Sequence, residues 1–169
     1  MPYIDFDLTI GKIEDGMIEV RMAPLMTLLV GSALAWLLGL AGVDALEGWQ
    51  AALRVGLATM FALTGTAHFT RRRAALTRIV PARLPRPELL VTITGALELA
   101  GAVGLLVPLT SRLAAGGLGV LMVVMFPANV RAALSGVLLS PLSRLAPRTV
   151  LQILFLAACL AVALSSSDL

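Results

Sequence analysis

One cysteine, Cys159, and one histidine, His68, occur in 169 residues, and that scarcity removes several classes of function at once. A lone thiol forms no intramolecular disulfide, and no second cysteine or spare histidine stands at a spacing that completes a zinc or iron–sulfur site. No metal and no covalently bound cofactor is therefore expected. Charge is scarce too: Asp, Glu, Lys and Arg together make up 14% of the chain, against roughly a quarter in soluble domains. Lysine is nearly absent, so the formal net charge of +3 rests almost wholly on arginine. Those arginines cluster in the short connections between apolar runs, a pattern of membrane topology rather than of nucleic-acid binding.

Apolar residues are what the chain has in abundance, at 59% of the sequence with a mean hydropathy of +0.95. A helical crossing takes about 20 apolar residues, and five such stretches are present, at about 24–43, 51–69, 89–107, 113–134 and 149–164. They consume most of the length, which predicts an all-α polytopic membrane bundle and no separate soluble domain. Residues 1–22 are polar and acidic and read as a cytoplasmic tail preceding a membrane domain at 23–169. They lack the basic region, short apolar core and small-residue site of a cleavable signal, and Met17 and Met22 are alternative starts. Six arginines follow span two (71, 72, 73, 78, 83 and 86) and three more flank the exit of span four (131, 144 and 148), against Arg54 and Arg112 on the opposite side. The bias places the amino terminus inside and the carboxyl terminus outside.

Four of the apolar runs each carry one polar residue that hydrocarbon resists: His68, Glu98, Asn129 and Gln152. A carboxylate at mid-membrane costs about 2.5 to 3.5 kcal/mol on insertion scales, so Glu98 is expected to face the bundle interior. Topology puts His68, Asn129 and Gln152 in the cytoplasmic half, where they are expected to share one polar pocket with Glu98. At about 1.5 Å per residue, Glu98 lies roughly 10 Å deeper than His68 in straight helices. No direct bond between them is then expected, and Thr64, a water or a ligand bridges them. Each residue also has a plain structural reading: His68 as an interfacial anchor, Asn129 as a partner for a carbonyl freed by Pro127, Gln152 as an interhelical hydrogen-bonder. Glycines at 101, 104, 116, 117 and 119 read as close helix crossings. Arg71, Arg72 and Arg73 signal topology and also suit an anionic lipid or an acidic group.

These residues resemble those of the DoxX and DoxX-like family of small bacterial membrane proteins: TGTAHF at 64–69, VPARLPRP at 80–87, TGALELAGAVGLLVPLTSRLAAGGL at 94–118, MFPANV at 125–130 and LQILF at 151–155. The resemblance spans residues 52–164 and implies a four-helix membrane core, formed here by spans two to five, with span one as an additional amino-terminal helix. It also implies a location in the bacterial inner membrane. Some members of that family are subunits of thiosulfate:quinone oxidoreductase, and others accompany membrane redox complexes or the maturation of partner proteins. By that resemblance His68, Glu98, Asn129 and Gln152 occupy characteristic polar positions, with no catalytic role fixed for any of them.

Three functions follow as expectations. The first is a membrane subunit of a quinone-linked redox system, with electrons supplied by a redox partner subunit, since the chain carries no flavin, haem or metal motif. The second is a non-catalytic scaffold or assembly factor, alone or as a homo-oligomer. The third, a proton-coupled or small-solute carrier, suits an intramembrane glutamate but lacks an inverted repeat.

Overall fold

A computed structural model describes residues 6–81, 83–134 and 141–165. The described chain is all-α. Helix α1 covers Phe6–Leu40, a 3-10 turn follows at Asp44–Leu46, and α2 spans Gly48–Ala67. The short α3, Arg73–Ile79, precedes α4 (Pro87–Leu106), α5 (Pro108–Leu134) and α6 (Pro141–Ala163). Four segments are long and apolar enough to cross a membrane: Met22–Leu40, Pro87–Leu106, Pro108–Arg131 and Ala146–Ala163. Leu109, Leu113 and Leu40 are at least 72% exposed, and so much outward apolar side chain suits a bilayer and not water. The protein is a multi-pass membrane protein.

Helix α2 has the length of a crossing, about 30 Å at 1.5 Å per residue, but it carries Gln50 and Arg54 and is less apolar than the other four. It compensates by being well enclosed. Ala51, Ala52, Gly56, Leu57, Ala58, Met60, Phe61 and Gly65 are all buried, because α2 lies between α1 and α4 and also touches α6. Helix α5 packs on α4 and α6. Helices α2, α4, α5 and α6 thus surround a shared core that includes Leu57, Phe61, Leu105, Leu118, Phe155 and Cys159, to which α1, lying against α2, adds Leu28. Small residues set the α1 to α2 distance. A Cβ on Gly56 would sit 2.6 Å from the Leu28 carbonyl oxygen and 3.0 Å from the Ser32 nitrogen, an approach that glycine alone allows.

Several element limits differ from those expected from hydropathy. Helix α1 begins at Phe6, so most of the stretch expected as a polar tail continues the first helix, while residues 1–5 of that stretch lie outside those described. No proline interrupts it before Pro24. Helix α5 begins at Pro108, not near 113, because proline suits the first helical position and forces Val107 before it into an extended conformation, φ −91° and ψ 114°. The α4–α5 corner is one residue long and is tied by Thr110, whose hydroxyl donates to the Gly104 carbonyl at 2.9 Å. Helix α6 begins at Pro141, eight residues ahead of the expected 149.

Antiparallel neighbours place the two ends of the bundle. The α1–α2 turn, the α4–α5 corner and the end of α6 share one end, where Arg112 Nε donates to the Ala163 carbonyl at 3.2 Å. The segment from His68 to Arg86 occupies the other end, where Arg131 Nη1 donates to the Val80 carbonyl at 3.0 Å.

Candidate functional site

His68 follows the last turn of α2, its backbone N–H shared between the Gly65 and Thr66 carbonyls. The ring turns inward and is 5% exposed. It faces Gly95 of α4, where an added Cβ would lie 2.5 Å from the His68 Cβ and 2.9 Å from its Cγ. Glycine at 95 is therefore what lets the imidazole reach the α4 backbone. Nδ1 lies 2.9 Å from the Val91 carbonyl oxygen. A carbonyl only accepts, so Nδ1 carries the hydrogen and Nε2 of the neutral ring is an acceptor. Thr94 reinforces that arrangement: its hydroxyl donates to the Leu90 carbonyl at 2.9 Å while its oxygen stands 3.3 Å from Nδ1.

Nε2 points at Glu98, 3.7 Å from Oε1. This corrects the expectation that the two residues lie too far apart in depth to meet. That separation holds only for helices with the end of span two level with the start of span three. In the structure His68 stands opposite Gly95, so α4 extends about two turns past the end of α2, and α3 packs beside those turns. The glutamate side chain also leans toward its helix amino terminus, as helical side chains do, which brings the carboxylate back toward His68. At 3.7 Å the contact is an ion-pair distance, longer than a hydrogen bond.

Glu98 is 6% exposed, and its second oxygen, Oε2, is buried without a hydrogen-bond partner. Buried polar atoms are almost always paired, so this orphaned acceptor is the most conspicuous chemical feature of the bundle. Thr64, one turn before His68, stands beside the carboxylate, with its own hydroxyl directed to the Phe61 carbonyl at 3.4 Å.

Asn129 and Gln152 form a second, separate pair. Asn129 Nδ2 donates to Gln152 Oε1 at 3.3 Å, and Gln152 Nε2 donates to the Met122 carbonyl at 2.8 Å. The expectation of one pocket holding all four residues is thus revised: among the described residues no hydrogen bond or ion pair joins the α5–α6 pair to the α2–α4 pair. Facing helix pairs divide the polar residues between them. Gln152, not Asn129, bonds a carbonyl near Pro127, and that carbonyl belongs to Met122, five residues earlier. Replacing Asn129 with leucine should therefore cost about 0.6 to 2 kcal/mol, the range for an interhelical hydrogen bond in a membrane. Thermal unfolding in detergent checks this, and Asn129→Leu combined with Gln152→Leu should lose less than the sum of the two.

Of the three arginines proposed for an anionic group, Arg73 turns inward, its Nη2 donating to Thr92 Oγ1 at 3.1 Å, while Arg71 and Arg72 are exposed. A groove of about 380 Å³ lies elsewhere, lined by Ser32, Trp36, Trp49, Ala52 and Leu53 at the α1–α2 face. Val91 and Thr94 were not anticipated as site residues. The TGALE run at 94–98 held the signal, since Thr94 precedes Glu98 by one helical turn and so shares its face. Among the described residues no cluster of three or more His, Cys, Asp or Glu is placed to bind a metal.

The fold and site define a multi-pass all-α membrane bundle with a buried histidine–glutamate pair between two of its helices. The chain belongs to the family described as Domain of unknown function (DUF8561), whose model matches residues 57–163. That match covers just over half of α2 and all of α3 to α6 and leaves α1 outside it. No curated protein and no solved structure matches the chain.

Proposed function

We propose that the protein is a DoxX-like membrane subunit of a quinone-linked redox system, in which His68 and Glu98 handle protons. The supporting observation is the Glu98 carboxylate, with one oxygen facing His68 Nε2 at 3.7 Å and the other buried and unpartnered. A bound quinone head group supplies two-electron, two-proton chemistry, and a redox partner subunit supplies the electrons. The chain's own residues fit such a group at one point, the orphaned Oε2, which when protonated donates a hydrogen bond to a carbonyl oxygen. The Val91 carbonyl holds Nδ1–H in place, so Nε2 is the ring atom that accepts a proton from Glu98 and returns it. Thr94 and Gly95 position the ring. The arginines at the α3 end support an amino terminus on the cytoplasmic side of the bacterial inner membrane.

The Asn129–Gln152 pair favours a second reading, a non-catalytic scaffold. Its two amides hydrogen-bond each other and Gln152 reaches a backbone carbonyl, an arrangement that fixes helix register with no ligand. The two readings separate on quinone content. Lipid extraction and native mass spectrometry of detergent-purified protein should find one quinone per chain in the wild type and none in Glu98→Gln. An equally folded pair of proteins, both free of quinone, would leave the scaffold in possession.

A further inference from the structure

Residues 71–86 carry six arginines and no acidic residue, and only part of that charge is used within the fold. Helix α3 lies against the ends of α4 and α5 and is held from both. Arg73 donates to Thr92 of α4, and Arg131 of α5 donates to the carbonyl of Val80, the residue after α3. Arg71, Arg72, Arg78, Arg83 and Arg86 remain exposed, and none of their side chains has a hydrogen-bond or ion-pair partner among the described residues. Arg86 is in addition the one described non-glycine residue with positive φ, 51°, directly before Pro87. Leu84 within this stretch and Phe69 just before it stand exposed, 48% and 47% accessible.

We infer that this segment is a binding platform for anionic phospholipid head groups. The segment joins α2 to the membrane-crossing α4, so it lies where the chain leaves the hydrocarbon, at the depth of lipid phosphates. A guanidinium presents a planar fork that matches phosphate oxygens in a bidentate fashion. Arginines interleaved with exposed apolar side chains suit an interface in which phosphates meet the former and upper acyl chains the latter. An acidic protein surface would satisfy the charge but leave Phe69 and Leu84 without a role. Arg73 and Arg131 build the platform, and the five exposed arginines face the ligand.

The test is lipid binding by the full chain in detergent, titrated with phosphatidylglycerol or phosphatidylcholine and read by native mass spectrometry. Near an anionic surface one arginine contributes about 1 kcal/mol, roughly five-fold in affinity. Phosphatidylglycerol should therefore bind at least about ten-fold more tightly than phosphatidylcholine, and Arg71→Gln with Arg72→Gln should weaken it roughly 25-fold. Wild-type binding should also fall as salt rises from about 50 to about 500 mM, a readout that does not depend on the variant folding. Equal affinity for the two lipids, or salt-independent binding, would overturn the inference. Displacement of phosphatidylglycerol by millimolar inorganic phosphate would overturn it as well, by assigning the arginines to a free anion.

Discussion

Gly56→Val should force α1 away from α2 and lower stability by about 2 to 3 kcal/mol, at the upper end of the range for overpacking a tight contact. A Cβ at position 56 meets the Leu28 carbonyl oxygen at 2.6 Å and the Ser32 nitrogen at 3.0 Å. Those atoms are backbone, and they cannot rotate aside as a long side chain does. Gly31 stands across the same crossing, where a Cβ would lie 3.2 Å from the Gly56 Cα, so relief on one helix brings a clash on the other. Gly116 and Gly117 in α5 supply the control, because nothing lies within 4 Å of a Cβ at either position. Gly117→Ala should be neutral or gain up to about 1 kcal/mol of helix propensity. Unfolding midpoints measured by circular dichroism in one detergent rank the three proteins. If Gly56→Val melted with the wild type, the α1–α2 crossing described above would be wrong.

That contrast also bears on how much could be read before the structure. The apolar runs identify membrane helices directly, because hydrocarbon tolerates little else. Glycine content does not distinguish a crossing from an open surface: the expectation placed Gly116 and Gly117 at close contacts, whereas the structure leaves both open. Helix limits were less legible still. Phe6, Ile10, Ile13, Met17 and Val20 recur at alternating spacings of four and three, the period of an amphipathic helix, yet the acidic residues among them gave the stretch the appearance of a tail. Proline was the better guide. Pro87, Pro108 and Pro141 each open a helix, as its fixed φ and missing N–H favour.

For the site, the sequence identified the polar residues but not their partners. His68 and Glu98 stood out as polar groups in apolar runs, which needs only hydropathy. Their pairing depends on a vertical offset between α2 and α4 that no local pattern encodes. Gly95 sets that offset by admitting the ring, and a glycine in an apolar run has many possible reasons. The Asn129–Gln152 bond is similar, since amide residues on neighbouring helices meet only once the helices are placed.

The histidine–glutamate pair should show an asymmetry between its two members that a simple salt bridge would not. His68→Ala removes the imidazole with its Nδ1–H bond to the Val91 carbonyl and opens a void against Gly95. Truncating a buried ring to alanine costs about 3 to 5 kcal/mol, and a loss of about 3 kcal/mol is expected here. Glu98→Gln should cost less than about 1 kcal/mol, because Nδ1–H is committed to Val91 and Nε2 accepts from the glutamine amide as it would from a protonated carboxyl. Replacing both residues with leucine should return stability to near the wild type, as apolar substitution of buried pairs commonly does. Unfolding midpoints of the single and double variants in one detergent test all three statements. Equal losses for His68→Ala and Glu98→Gln would mean that the pair is held as ions, with Nε2 a donor and no vacancy for a proton. With the asymmetry present, Glu98→Gln is a folded protein lacking only an exchangeable proton, and any loss of quinone from it is then attributable to the carboxyl group and not to a damaged bundle.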